Sequence, residues 1–308
     1  MNVILLVLLI ILFLLIALVY LAPKAVTNFA LNSERKHSGL VRKEITLTNG
    51  LHYAYLEGGQ GEPLVLLHGF GGNKDTFTRV SRYLTKNYRV IIPDIIGFGE
   101  SSKPTKVDYS PPAQVERLRA LFQALGIVNL HFGGNSMGGQ IAIIYSSLYP
   151  TEVKSLWLLS PAGIWSAPKS DVIHKIIETG QNTLIAKNIE EFKQVMALGM
   201  KKVPFIPKPM LLVLAQERIQ NATLEEEIFK KILDCSIEKK IVGMKIKTLI
   251  VFGDQDRIIS VETAEILKSL LPNSTAILLK NVGHVAMFEK PQQCAKDYFH
   301  FQEPTLNL

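Results

Sequence analysis

No charged side chain precedes Lys24 in this 308-residue chain, and Val3 to Ala22 is an unbroken apolar run. At ~1.5 Å per helical residue, twenty residues reach about 30 Å, the depth of a bilayer's hydrocarbon core. The run also lacks what a secretory signal needs. No Lys or Arg stands ahead of it, its apolar stretch is longer than a signal's, and Pro23 follows Ala22 where small residues would mark a cleavage site. Residues 1–22 are therefore expected to be a retained single-pass transmembrane anchor; the alternative is a signal whose removal leaves a periplasmic or secreted protein. Cysteine is scarce. Cys235 and Cys294 are too few and too far apart for a disulfide framework or a metal site, and both read as inert thiols. There is no internal repeat and no low-complexity tract. No basic run interleaved with aromatics is present, so nucleic acid is not an expected partner.

With 47% hydrophobic and 20% charged residues, the chain is globular. Its net charge of +7, from 34 Lys and Arg against 27 Asp and Glu, lies wholly outside the apolar run and suits an anionic lipid surface. From Pro23 to Lys43 stand Lys24, Arg35, Lys36, Arg42 and Lys43 against Glu34 alone. Because basic residues beside a membrane helix tend to stay in the cytoplasm, the expected topology is N-terminus out and the following domain in. Residues 23–44 then form a juxtamembrane linker.

Beyond Ile45 short β-type runs alternate with helical segments, the order of an open, mostly parallel sheet with helices on both faces. Strands are predicted at Ile45–Thr48, Tyr53–Leu56, Leu64–Leu67, Arg89–Pro93, Asn129–Phe132, Lys154–Leu159, Thr248–Phe252 and Thr275–Leu279. Helices are predicted at Pro112–Leu125, Ser136–Tyr149, Val261–Leu271 and Gln292–Phe301. The alternation fails between Gly163 and Lys245, where no strand is evident and Gly180, Gly199 and prolines 204, 207 and 209 punctuate amphipathic segments. A helical insertion between two strands is most simply a cap over the strands' carboxyl ends, where ligands bind in open α/β sheets. The expected division is 45–163 and 246–308 for the core and 164–245 for the cap. Phe192 to Gln216 carries four lysines, no acidic residue and many apolar side chains. It reads as ordinary helix packing with solvated lysines, or as a lipid-facing surface or acyl-chain entrance.

One serine stands out. Ser136 lies in Gly134-Asn135-Ser136-Met137-Gly138, between a predicted strand and an apolar helix that stops at Pro150. A serine hydroxyl is a weak nucleophile at neutral pH and needs an exposed, sharp turn beside a base; the glycines let the backbone make that turn and let strand and helix approach. Of the seven histidines only His284 has a suitable setting, on the loop between the last predicted strand and the last helix. His131 sits within the nucleophile strand and His300 on the last helix. The acid that orients the imidazole is sought just past Thr248–Phe252, where Asp254 and Asp256 both stand; Asp256 is chosen for the loop length it gives, with Asp254 as the fallback. Asp94, ahead of Gly97-Phe98-Gly99-Glu100-Ser101, reads as a buried brace. His68-Gly69-Phe70-Gly71-Gly72 follows another strand, and the backbone N–H groups of Phe70 and Met137 are the expected oxyanion donors. His68 itself then braces the loop.

Taken together, His68-Gly69-Phe70-Gly71-Gly72, Pro93-Asp94-x-x-Gly97-x-Gly99-x-Ser101, Gly134-Asn135-Ser136-Met137-Gly138-Gly139, Gly253-x-x-Asp256 and Gly283-His284 resemble the α/β-hydrolase superfamily over nearly all of residues 45 to 303. Within it, Asn135 to Ala142, Tyr149-Pro150 and Ser160-Pro161-Ala162-Gly163 look most like monoacylglycerol lipases and bacterial lipases with one N-terminal membrane helix. The resemblance implies an eight-stranded α/β-hydrolase fold with a helical cap, the trio Ser136, Asp256 and His284, the donors Phe70 and Met137, and no metal or organic cofactor. The expected activity is serine ester hydrolysis of glycerolipid or similar acyl esters through an acyl-enzyme, at a membrane reached by the anchor and by the cap surface. Two rivals stand beside it: a carbon–carbon bond hydrolase of ring-cleavage products, which can share the trio, and a non-catalytic binding protein that keeps the fold. The sequence leaves oligomeric state open.

Overall fold

In a computed structural model of the protein, residues 3–303 are described. Residues 1–2 of the expected anchor and 304–308 of the expected final core segment lie outside them.

Eight strands, β1 (Leu40–Thr46), β2 (His52–Gly58), β3 (Glu62–Leu67), β4 (Tyr88–Pro93), β5 (Leu130–Asn135), β6 (Val153–Leu159), β7 (Lys247–Gly253) and β8 (Ser274–Leu279), form one sheet in the order β1-β2-β4-β3-β5-β6-β7-β8. From β4 to β8 all neighbours are parallel; β2 runs antiparallel to both β4 and β1. The order 4-3-5 reverses the direction of winding beside β5, the kind of switch point that opens a crevice at the carboxyl ends of the strands. Every expected strand is present. β1 begins five residues earlier than Ile45, because Arg42, Lys43 and Glu44 obscure its pattern; charges of this kind belong on a sheet edge, and β1 pairs only with β2.

Successive residues of the central strands feed two separate cores. Val65, Leu67, Ile91, Phe132, Leu156, Leu158, Ile250 and Phe252 pack on one face, with residues of α4 (Pro111–Ala124), α5 (Met137–Leu148) and α11 (Thr263–Leu270). Leu64, Leu66, Val90, Ile92, Trp157, Leu159, Leu249 and Val251 pack on the other, with α3 (Thr78–Leu84), α12 (Ala286–Glu289) and α13 (Pro291–Gln302). This period-two division requires both sheet faces to be covered, and it explains the continuous apolar runs in the sequence. Met137 to Ser146 of α5 are all buried, as its all-round apolar composition requires.

Between β6 and β7 the chain forms α6 (Asp171–Thr179), α7 (Ile189–Gly199), α8 (Lys208–Gln220), α9 (Ala222–Leu233) and α10 (Glu238–Ile241), with no strand among the described residues of this stretch. At the other end, α1 (Val3–Leu21) is a 19-residue apolar helix with no buried residue. The expected linker that follows is largely helical. α2 (Pro23–His37) starts on Pro23, whose missing N–H costs nothing at the first helical position. It is clamped to the core: Arg35 donates to both Asp75 oxygens at 2.6 and 2.7 Å, Glu34 accepts from Arg79 at 2.8 Å, and Thr85 donates to the carbonyl of Ser38 at 3.0 Å. α2 also packs on α8, and α1 touches both α2 and α8.

Candidate active site

The site grows from the junction of β5 and α5. Ser136 takes φ 54° and ψ −118°, a conformation that costs an L-residue about 1–3 kcal/mol and must be held from outside. The holding contacts are backbone bonds. Ser136 N–H donates to Leu159 O at 3.1 Å, and Ser136 O accepts from Gln140 at 3.0 Å and from Ala162 at 3.1 Å. A Cβ on Gly134 would overlap the backbone of Gly138, and one on Gly138 would overlap the carbonyl oxygens of Leu67 and His68. The two glycines are thus required by close approach, and Ser136 stays partly exposed while Asn135 and Met137 on either side are buried.

His284 stands on the loop between β8 and α12. Its Nδ1 lies 2.8 Å from Oδ2 of Asp256, and both side chains are almost fully buried. The other Asp256 oxygen accepts the N–H groups of Ile258 and Ile259 at 2.9 and 3.0 Å. Both oxygens are therefore occupied and the carboxylate cannot swing. Asp254 does another job: its Oδ1 accepts from Asn281 N–H at 2.7 Å and braces the start of the histidine loop. Of the two acids the sequence left open, the geometry pairs Asp256 with His284. With Nδ1 turned to the carboxylate, Nε2 is the ring nitrogen that does not face it.

The serine and histidine segments are joined through Asn135, whose Nδ2 donates to the carbonyls of Leu159 and His284, each at 3.0 Å. Gly253 adds a second junction, since a Cβ there would overlap the carbonyl oxygens of Val282 and Gly283. Asn135 sits inside the motif that singled out Ser136, yet its role is invisible in sequence because its partner lies 149 residues away.

The loop from His68 to Gly72 borders the serine. A Cβ on Gly69 would lie 3.1 Å from the Ser136 Cβ and 3.0 Å from Asn135 Oδ1. Phe70 is held by edge-on contacts with Phe98 and Phe229, at ring separations of 5.9 and 5.1 Å. Met137 is the first residue of α5, so its N–H has no intrahelical acceptor and carries the positive end of the helix dipole. His68 is fully buried; its Nε2 accepts from Ile95 N–H at 3.0 Å and its Nδ1 lies 2.8 Å from Gly69 O. Burial pushes this imidazole below its ordinary pKa and keeps it neutral, as a brace requires. His131 is also buried, against Ser155 and Glu62 at the far end of β5.

Asp94 is the brace the sequence suggested. Fully buried, it accepts from Lys74 N–H at 2.6 Å, Lys74 Nζ at 2.8 Å and Glu100 N–H at 2.8 Å. Burial alone would lower the Lys74 pKa, but Asp94 and Glu100 outweigh it and hold the ammonium above its ordinary value. For Glu100, hydrogen bonds from Arg42 and Lys74 overcome desolvation and pull its pKa from 4.5 to about 2.

Above this floor the cap supplies an apolar roof. Ile173, Ile176, Leu184 and Phe229 cluster with Ile258 and Ile259 of the aspartate loop and with Phe70. Arg218 and Glu225 form a buried ion pair in the cap, at 2.7 and 3.0 Å, and Arg218 also donates to Leu184 O at 2.6 Å. A small crevice of about 20 Å³ lies under this roof, lined by Pro161, Ala162, Ile164, Ile173, Ile258 and Ile259 among others, and none of Ser136, Asp256 and His284 lines it. A wider open cavity, about 500 Å³, lies at the opposite end of the sheet beside residues 240–246 and holds none of the candidate residues.

The family model described as alpha/beta hydrolase fold matches residues 62–291. Lipase 1 of Psychrobacter immobilis is 44% identical over 293 residues, covering 91% of each chain. Monoacylglycerol lipase ABHD6 of Homo sapiens is 28% identical over 250 residues, 77% of this chain and 74% of its own. Among solved structures, a bacterial membrane phospholipase A superposes with a TM-score of 0.89 at 33% identity, covering all of both chains.

Proposed function

The chain belongs to the α/β-hydrolase family and is a lipase-like hydrolase, and from that premise we propose that it cleaves acyl esters of membrane lipids through an acyl-enzyme on Ser136. The observation that carries this reading is the His284–Asp256 pair, tied through Asn135 to the strained turn that presents Ser136.

In this mechanism the Ser136 hydroxyl attacks the ester carbonyl carbon as Nε2 of His284 takes its proton. Asp256, locked by Ile258 and Ile259, fixes the tautomer with Nδ1–H and stabilises the imidazolium. The carbonyl oxygen gains negative charge between the N–H groups of Phe70 and Met137, where each donor contributes about 2.7–4 kcal/mol to the transition state. His284 then protonates the departing alcohol, leaving the acyl group on Ser136. Water enters, His284 removes its proton, and the same sequence in reverse releases the fatty acid.

The substrate class follows from location. α1 is long and apolar enough to cross a bilayer and α8 of the cap lies against it, so the roof sits beside the anchor. Phe205 is 92% exposed, Val203, Leu212 and Phe29 are also exposed, and so are Lys201, Lys202 and Lys208 on the same stretch as Val203 and Phe205. Exposed aromatic and aliphatic side chains with exposed lysines near them in sequence suit an anionic lipid interface. We read this surface as a second membrane contact that brings a monoacylglycerol or similar ester, head group outward, under the roof. The basic residues after α1 favour a cytoplasmic-facing domain.

Fatty acid release from monoacylglycerols of graded chain length, with wild type and Ser136→Ala, tests the reaction. Activity on long acyl chains that vanishes in the variant is expected; cleavage of a dienol keto acid with none of esters would replace the reading. Protease treatment of intact spheroplasts tests the topology, and digestion of the domain from outside would reverse it.

A further inference from the structure

The histidine loop is bonded to the cap as well as to the sheet. Gly199, the last residue of α7, accepts at its carbonyl from His284 N–H at 2.9 Å and from Val285 N–H at 3.2 Å. One residue finishes the junction from the other side. Glu289, at the end of α12, accepts from Gly283 N–H at 2.7 Å with Oε1 and from Lys202 N–H at 3.0 Å with Oε2. Gly283 precedes His284 directly, and a Cβ there would lie 2.8 Å from Lys201 N and 3.0 Å from Glu289 Oε1, so the segments are in tight contact.

We propose that Glu289 is a positioning residue: its carboxylate bridges the backbone of the cap at Lys202 to the backbone of the histidine loop at Gly283, and so sets the position of His284 relative to Ser136. The inference rests on the reading of His284 as the general base. A carboxylate is suited to the task because it offers two acceptors and no donor, and charge-assisted bonds to backbone N–H groups are the stronger kind. The three bonds between 199–202 and 283–289, with the Gly283–Glu289 bond inside the second segment, make this end of the cap a fixed part of the site, so a shift of the cap at Lys202 is passed to the imidazole. Proton transfer tolerates little of this, since a displacement of about 1 Å can cost ~100-fold in rate.

Two variants separate positioning from plain stability. Glu289→Ala removes both acceptors; Glu289→Gln keeps one oxygen and turns a donor toward the second N–H. With a short, soluble ester, kcat is expected to fall about 10- to 100-fold in Glu289→Ala and less in Glu289→Gln, with KM nearly unchanged. The rate of fluorophosphonate labelling per folded molecule should fall in the same order. Amide hydrogen exchange on the full chain supplies a readout independent of activity: segments 199–203 and 281–288 should lose protection together while β5 to β7 keep theirs. Should Glu289→Ala fail to fold, Glu289→Gln carries the same comparison. Wild-type kcat in a folded variant that has lost both bonds, or exchange that quickens in only one segment, would overturn the proposal. Wild-type protein that never labels at Ser136 would instead refute the esterase reading, and the exchange result would still decide whether the two segments are coupled.

Discussion

The carboxyl rim of the sheet and the helical roof above it are held by different forces. At the rim, backbone meets backbone: Gly138 lies against the Leu67 and His68 carbonyls, Gly253 against the histidine loop, and Asp94 gathers Lys74 and Glu100 in a buried knot. No side chain can be added at these glycines without moving main chain. The roof is an apolar cluster with a buried ion pair, Arg218–Glu225, and its outer surface leaves Phe205 in the open. Rigid backbone packing fixes the positions of reacting groups to fractions of an ångström, whereas side-chain packing tolerates exchange of shape for shape. The proposed function assigns chemistry to the rim, and the choice and delivery of substrate to the roof.

Substitutions on the two sides should therefore fail in different ways. The largest effect belongs to the rim's reacting groups. Ser136→Ala is expected to lower kcat by about 10⁴-fold or more, and Asp256→Asn by about 10³- to 10⁴-fold, with thermal midpoints close to wild type. Steady-state kinetics and melting curves on the same samples check both. A collapse of stability in either would shift those residues from chemistry to folding.

Next come the rim's supports, which should cost stability first. Gly138→Ala forces a Cβ into two carbonyl oxygens, and Lys74→Met strands the fully buried Asp94 charge. Each is expected to cost about 3–5 kcal/mol in denaturant unfolding. Arg218→Met is the matching experiment on the roof: it strands Glu225, but in a cluster that touches the substrate path. Its activity on long acyl chains should fall more than its activity on short soluble esters, a distinction that Lys74→Met should not show.

A smaller effect is expected at the outer surface. Phe205→Ser removes apolar area of roughly 150–250 Å² from the membrane contact and should weaken turnover of esters held in anionic vesicles several-fold. Turnover of a soluble ester should stay as in wild type. Equal loss on both would mean that Phe205 supports the fold.

The smallest effect is a pH dependence at the rim. The Glu100 carboxyl titrates near 4.5 when unfolded and at about 2 when folded, so the folded state holds fewer protons between those values. Its contribution is complete above about pH 4.5 and disappears as pH falls toward 2. Because the Glu100 side chain is 45% exposed, solvent and salt reduce the effect. Glu100→Gln should flatten the acid limb of the stability curve slightly, while Glu226→Gln on the exposed face of the cap should change it less.

The same contrast explains what could be read from the amino-acid order. Ser136, Asp256 and His284 each follow a short apolar run that ends in or beside glycine, so local punctuation alone put them at strand ends. The eight strands were legible for the same reason. The start of β1 is hidden in sequence because its edge position fills it with charge, and the helix α2 within the expected linker is hidden because Thr27, Asn28, Asn32 and Ser33 give a poor helix pattern; bonds from Arg35 and Glu34 to the core hold it. The ties that Asn135 and Glu289 make to the histidine loop have no signal in sequence. Their partners lie on segments brought near only by the completed fold, and a lone Asn or Glu has no period to betray it. The roof's apolar side chains and lysines were visible, but which of them face the substrate depends on helix packing that spacing does not set.

The central claim is that Ser136 is the nucleophile served by His284. The most direct measurement is peptide mapping by mass spectrometry after the folded, full-length protein reacts with a fluorophosphonate. A single phosphonyl adduct on Ser136, abolished in His284→Ala while that variant remains folded, is the expected result; an adduct on another serine, or undiminished labelling without His284, would contradict it.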